Sequence, residues 1–117
     1  MRYNILNASG SKVGEVSPPD DIYSAYGDFR GSVDSDGTFH EGYGVLHERG
    51  FRRGEVDRSG TIYTGGGIGE GSRTRIGEVS YSGTIRNASG TVVGRCSESG
   101  APVELVGAAA VLLKLLP

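Results

Sequence analysis

The sequence predicts an all-β fold: five β-hairpin repeats arranged about a pseudo-five-fold axis as a small barrel or flower, closed by a short carboxyl-terminal helix. Three observations predict it. Glycine supplies 21 of the 117 residues, a four-residue turn signal recurs in pairs ten residues apart, and the chain ends in the apolar run AAAVLLKLLP. Ordinary domains hold about 7% glycine. Here Val, Ile and Phe recur between the glycines, which separates a turn-rich β chain from a low-complexity linker. The length suits one domain over 1–117, with the hairpins over about 3–106 and the helix over about 108–116.

The turn signals come first. NASG (7–10 and 87–90), SAYG (24–27), DSDG (34–37), HERG (47–50), DRSG (57–60), SYSG (80–83) and SESG (97–100) all end in glycine, while SPPD (17–20) and EGSR (70–73) hold the two remaining places. The ten tetrads form five pairs whose starts are separated by 17, 23, 23 and 17 residues. The links between pairs are three residues long (21–23, 84–86) or nine (38–46, 61–69). Each tetrad reads as a type I turn followed by a left-handed residue. Asn, Asp or Ser at the first place accepts a bond from the backbone two residues on, and Gly at the last takes the positive φ. Asp20 and Arg73 stand where that glycine is expected; Asp tolerates the conformation and Arg does so poorly. NASG also contains a glycosylation acceptor tripeptide, but its place in the series marks it as a turn.

Between the turns of each pair lies a six-residue strand: SKVGEV, DFRGSV, FRRGEV, TRIGEV and TVVGRC. The fourth column is Gly14, Gly31, Gly54, Gly77 and Gly94, which predicts either close approach of neighbouring backbones or a recurrent bulge. The sixth is Val16, Val33, Val56, Val79 and Cys96. These residues are expected to face Ile22, Phe39, Ile62, Ile85 and Pro102 across the strands, and the five pairs form the predicted core.

The motifs GSVDSDGTF, GEVDRSGTI and GEVSYSGTI, with the weaker GEVSPPDDI and GRCSESGAP, resemble the five-fold β-flower proteins, small bacterial glycine-rich hairpin-repeat proteins of unknown function. The resemblance covers roughly residues 3–106. It implies a fold and no catalytic residues. Similarity to the 23-residue MORN repeats is poorer, because the units alternate in length and lack a regular Tyr-x-Gly pattern.

The terminal run predicts a helix over about 108–116, apolar nearly all round apart from Lys114 and too short to span a bilayer. It is expected to plug one end of the barrel, or alternatively to mediate a homo-oligomer. Twelve basic and 14 acidic residues are interleaved at a net charge of −2, so no nucleic-acid or anionic-membrane surface is expected. The single Cys96 and an amino terminus without a signal-peptide core lead to the expectation of a cytoplasmic protein.

Candidate chemistry is sparse. His40 and His47, each followed by a glutamate (Glu41, Glu48), suggest a zinc pair, but a third ligand at diagnostic spacing is missing and an exposed loop fits better. The fifth column, Glu15, Ser32, Glu55, Glu78 and Arg95, forms a ring; with Arg53 and Arg75 it reads as a solvated face of mixed charge. Cys96 reads as a buried stand-in for Val. GGGIGEG (65–71) lacks the Lys-Ser/Thr ending of a phosphate loop. Tyr23, Tyr26, Tyr43, Tyr63 and Tyr81, with the arginines, offer material for a binding surface. No catalytic, cofactor or metal residues are assigned. The expected function is a non-enzymatic structural or protein-interaction module using the links 38–46 and 61–69; the alternative is a small-ligand or glycan binder at the funnel mouth.

Overall fold

The computed structural model describes residues 2–43, 48–65, 73–98 and 100–116. The strands are β1 (Tyr3–Asn7), β2 (Lys12–Ser17), β3 (Asp21–Ser24), β4 (Phe29–Val33), β5 (Thr38–Tyr43), β6 (Glu48–Val56), β7 (Thr61–Gly65), β8 (Arg73–Val79), β9 (Thr84–Asn87) and β10 (Val92–Cys96), followed by α1 (Val103–Leu112). Each strand pairs antiparallel with the next, and β1 pairs with β10, so the sheet closes into an up-and-down barrel with no free edge.

Turn chemistry sets this order. Asn7 Oδ1 accepts from the amides of Ser9 and Ser11, and Asn87 Oδ1 accepts from those of Ser89 and Thr91, each at 3.0 Å. Both NASG segments are therefore hairpin turns, and Gly10 and Gly90 close them at φ 88° and 87°. At the other end of the barrel Gly37 and Gly60 have a second duty. Their carbonyls accept the Val56 and Val79 amides at 2.9 and 2.8 Å, which stitches each turn to the strand two places on. A Cβ on either would run into the carbonyl of that same valine. The Ser17–Asp20 turn is built differently: the Pro18–Pro19 peptide is cis, and Asp20 is not among the positive-φ residues.

One buried residue from every strand forms the barrel's core ring. The expected pairs Val16–Ile22, Val33–Phe39, Val56–Ile62 and Val79–Ile85 are all in register. The fifth differs. Cys96 faces Ile5 of β1, not Pro102, because the last strand is closed by the first and the chain after Cys96 leaves the sheet. Pro102 instead precedes the helix, its carbonyl accepting from the Leu105 and Val106 amides.

Two expected turns also move. Glu48, Arg49 and Gly50 of HERG belong to β6, with Glu48 opposite Tyr43 and Arg49 opposite Gly42. Arg73 of EGSR belongs to β8, opposite Gly65; residues 70–72 lie outside the described residues. The described parts of the nine-residue links, 38–43 and 61–65, are likewise strand, so the extra residues of the longer units lengthen hairpin arms.

The helix occupies the lumen. Leu105, Ala108, Ala109 and Ala110 have no exposed surface, and they join the ring residues in one core cluster. α1 runs over Val103–Leu112, beginning five residues earlier than the 108–116 expected from sequence. Gly107 costs a helix about 1 kcal/mol of propensity. It is retained where a Cβ would come within 2.9 Å of Val56 Cγ2 and 3.2 Å of Ile62 Cγ1, so barrel packing overrides the local preference. Glu104 in the first turn suits the positive end of the helix dipole. At the other end Lys114 takes φ 65°, and the amides of Leu115 and Leu116 return to the Ala110 carbonyl at 2.9 and 3.1 Å. This turn points four leucines at four strand glycines: Leu113 at Gly14, Leu112 at Gly31, Leu116 at Gly77 and Leu115 at Gly94.

Replacement of these glycines discriminates crowding from turn strain. A Cβ on Gly54 would run into the Tyr63 carbonyl and lie 2.9 Å from Phe39 Cζ, whereas one on Gly90 meets nothing within 4 Å. Urea unfolding should show Gly54→Ala losing more than the roughly 1–3 kcal/mol usual for overpacking. Gly90→Ala should lose only the roughly 1–2 kcal/mol of a left-handed residue with a Cβ.

Candidate functional site

Each even-numbered strand carries an irregularity beside its glycine. Pairing skips Val13 between β1 and β2, Arg30 between β3 and β4, Arg53 between β5 and β6, Ile76 between β7 and β8, and Val93 between β9 and β10. A skipped residue bends its strand and re-aims its side chain. All five sit at the barrel end where α1 terminates, and Val13, Ile76 and Val93 pack against the core there. At the same place β4 and β6 carry exposed arginines. The third column of the six-residue segments, read V, R, R, I, V, already holds this change, and the glycine column beside it carries the recurrent bulge expected there; what the sequence hid was that the bulge turns the third column toward the mouth.

The two arginines line a cleft of 560 Å³ with Glu41 and Gly42 of β5, Thr64 of β7, and Val111, Leu112, Lys114 and Leu116 from the helix and its trailing turn. Arg53 Nη1 lies 3.0 Å from Glu41 Oε1. With both partners in contact with solvent this pair contributes little stability, yet it fixes the Arg53 head beside the cleft. On the far side of Arg30, Leu112 and Lys114 lies a second hollow of 440 Å³, lined also by Lys12, Val13 and the Ser24–Tyr26 turn. Tyr26 is 94% exposed. The opposite end of the barrel has the other polarity: Asp20, Asp34 and Glu104 line a hollow of 450 Å³ near the helix start. Burial, then the neighbouring Asp21 charge, holds the Asp20 carboxyl above the usual carboxylate range.

The residues singled out from sequence are dispersed. His40 lies on β5 with Nδ1 3.9 Å from Asp34 Oδ2; His47 and residues 66–71 of the glycine-rich run lie outside the described residues. Among the described residues no group of three or more His, Cys, Asp or Glu is placed to hold a metal ion. The fifth-column ring sits on the outer wall. There Glu15 accepts from Lys12 at 2.6 Å and Arg2 at 3.1 Å, bonds that hold its carboxyl below the usual range, and Glu78 pairs with Arg75 at 3.6 Å. Tyr23 is buried, edge-on to Phe29 at 5.8 Å and covered by the Arg2 guanidinium at 4.3 Å, so it contributes to packing and not to a binding surface. Tyr81 is exposed and donates to the Arg58 carbonyl. Tyr63 is half-buried on β7, and Tyr43 is carried by β5.

The arrangement defines a class: a closed antiparallel barrel with an apolar, helix-filled lumen, a polar outer wall and a cationic cleft at the helix's carboxyl end. A membrane barrel has the reverse distribution, with an apolar band facing lipid. No described helix is long and apolar enough to cross a membrane. Compared with protein-family models, with curated proteins and with solved structures, the chain matches none.

Cys96 is 4% exposed in the ring, and burial pushes its thiol above the ordinary value. The thiolate is the reactive form. A thiol reagent at mildly alkaline pH should therefore leave the folded protein unmodified and label it stoichiometrically in urea; prompt labelling of the folded protein would contradict this placement.

Proposed function

We propose that the protein is a non-enzymatic binding module that takes a small ligand in the mouth cleft, on a scaffold of five hairpin repeats about a pseudo-five-fold axis akin to the β-flower proteins. The scaffold reading is supported by the glycine and skipped residue common to β2, β4, β6, β8 and β10, and by the succession of facing core pairs.

One observation carries the binding reading. The mouth is concave and drawn from β4, β5, β6, β7 and the helix end, at a volume within the range of small-molecule sites. Its charged groups suit holding over proton transfer: arginine stays protonated at any working pH, and Glu41 is engaged by Arg53. A protein segment docking at the same end is the second reading, favoured by Tyr26, which stands exposed beside the neighbouring hollow.

Amide chemical shifts distinguish them. Titration with a mixed library of small organic molecules should move Gly31, Gly42 and Thr64 and leave the Asp34–Gly37 turn at the far end still. Small-molecule shifts confined to the far end or the outer wall would overturn the mouth assignment. A protein partner would extend the shifts to Lys12 and Tyr26.

A further inference from the structure

Resting on the mouth reading, the geometry points to the class of ligand: a small amphiphilic anion, with a carboxylate or phosphate head against Arg30, Arg53 and Lys114 and a short apolar body on Leu112 and Leu116.

Charge comes first. Among the described lining residues, three cations against the carboxylate of Glu41 give the cleft a balance of +2, on a chain whose net charge is −2. The carboxyl end of α1 opposes an anion with about half a negative charge, which is too little to cancel that balance. Nor are the cations needed to satisfy the helix end. The Ala109, Ala110 and Val111 carbonyls already accept from the amides of Leu113, Leu115 and Lys114. Among the described residues Arg30 and Lys114 have no ion-pair partner, while Arg53 is oriented by Glu41.

Position adds a second argument. β2, β8 and β10 place Val13, Ile76 and Val93 where β4 and β6 place arginine, and those apolar residues pack on the core. A packing role would be served by a fourth and fifth aliphatic; arginine in their place leaves a gap in the apolar ring with a charged rim. Lys114 holds a left-handed backbone that glycine would adopt at less cost, and it lines both hollows. Beneath the cations lie leucine side chains, so a bare inorganic anion would leave the floor unfilled. An anion with an apolar body meets both surfaces, and arginine binds carboxylate or phosphate with two parallel bonds.

Calorimetry and amide shifts with four probes test this: octanoate (head and tail), acetate and inorganic phosphate (head alone), and monomeric octyl glucoside (tail with a neutral head). Octanoate should bind most tightly, move Gly42 and Thr64, and weaken as ionic strength rises. Arg30→Val and Lys114→Gly should each weaken it by about tenfold or more, the size expected for losing one charge-assisted bond. Both variants should keep the thermal unfolding of the parent protein, since valine is what β2 and β10 carry there and glycine suits the left-handed turn. Octyl glucoside moving the mouth amides as strongly as octanoate would overturn the anionic head and leave the mouth standing. Acetate or phosphate binding as tightly as octanoate would overturn the apolar body. Silence of the mouth amides toward all four probes would overturn both the ligand class and the mouth.

Discussion

A closed sheet must fill its own lumen, and everything else in this protein follows from how that is done. Barrel diameter grows with strand number, and about eight strands already make an interior that side chains alone can fill. Ten strands leave more room than the ring from Ile5 to Cys96 occupies. The chain supplies a helix to fill it. A helix dressed in leucine would be too wide, so its buried middle is Gly107 and three alanines, with larger residues at its ends. The strand glycines are the complement: four of them receive the leucines of the trailing turn, and each of the five lies against a neighbouring carbonyl. Strand and helix sequences are thus constrained by one another over most of the chain's length.

Apart from HERG and EGSR, the turn positions, with four of the five facing core pairs, were legible because their determinants are local. Asn7 and Asn87 bond their own turns, glycine three residues on meets a conformational need, and Val16 or Cys96 six residues later fixes which face is apolar. What was not legible is what depends on closure. Nothing in the local pattern says that Cys96 meets Ile5 instead of a residue ahead of it; that pairing exists only once the first strand meets the last. The helix start was misplaced for a related reason, since Gly107 argues against a helix until Val56 and Ile62 are seen against it. The nine-residue links looked like loops because Gly42 and Gly44 interrupt one and Gly65, Gly66, Gly67 and Gly69 the other, yet the described parts of those arms continue the ladder.

The candidate site emerges from the same constraint. Closing the barrel bends the even-numbered strands at Val13, Arg30, Arg53, Ile76 and Val93, and the bend lifts that column onto the rim around the helix end. A residue there is free to be polar, because the leucines behind it already close the core. Arg30 and Arg53 on adjacent even strands use that freedom, and the left-handed Lys114 adds a third cation at the centre. The sequence displayed these residues plainly; their convergence required knowing that the bulge exists. Polarity along the barrel follows too, with acids near the helix start and bases near its end, the arrangement a helix dipole favours.

The central claim is that α1 is the core of the barrel and not an appendage to it. The most direct measurement is the urea unfolding of a chain ending at Ala101, followed by circular dichroism and amide dispersion beside the full protein. Loss of the cooperative transition and collapse of amide dispersion are expected, since the ring would face an empty, apolar lumen. A truncated chain that keeps dispersed amides and unfolds cooperatively at a similar midpoint would show that the strands close without the helix, and would contradict the account.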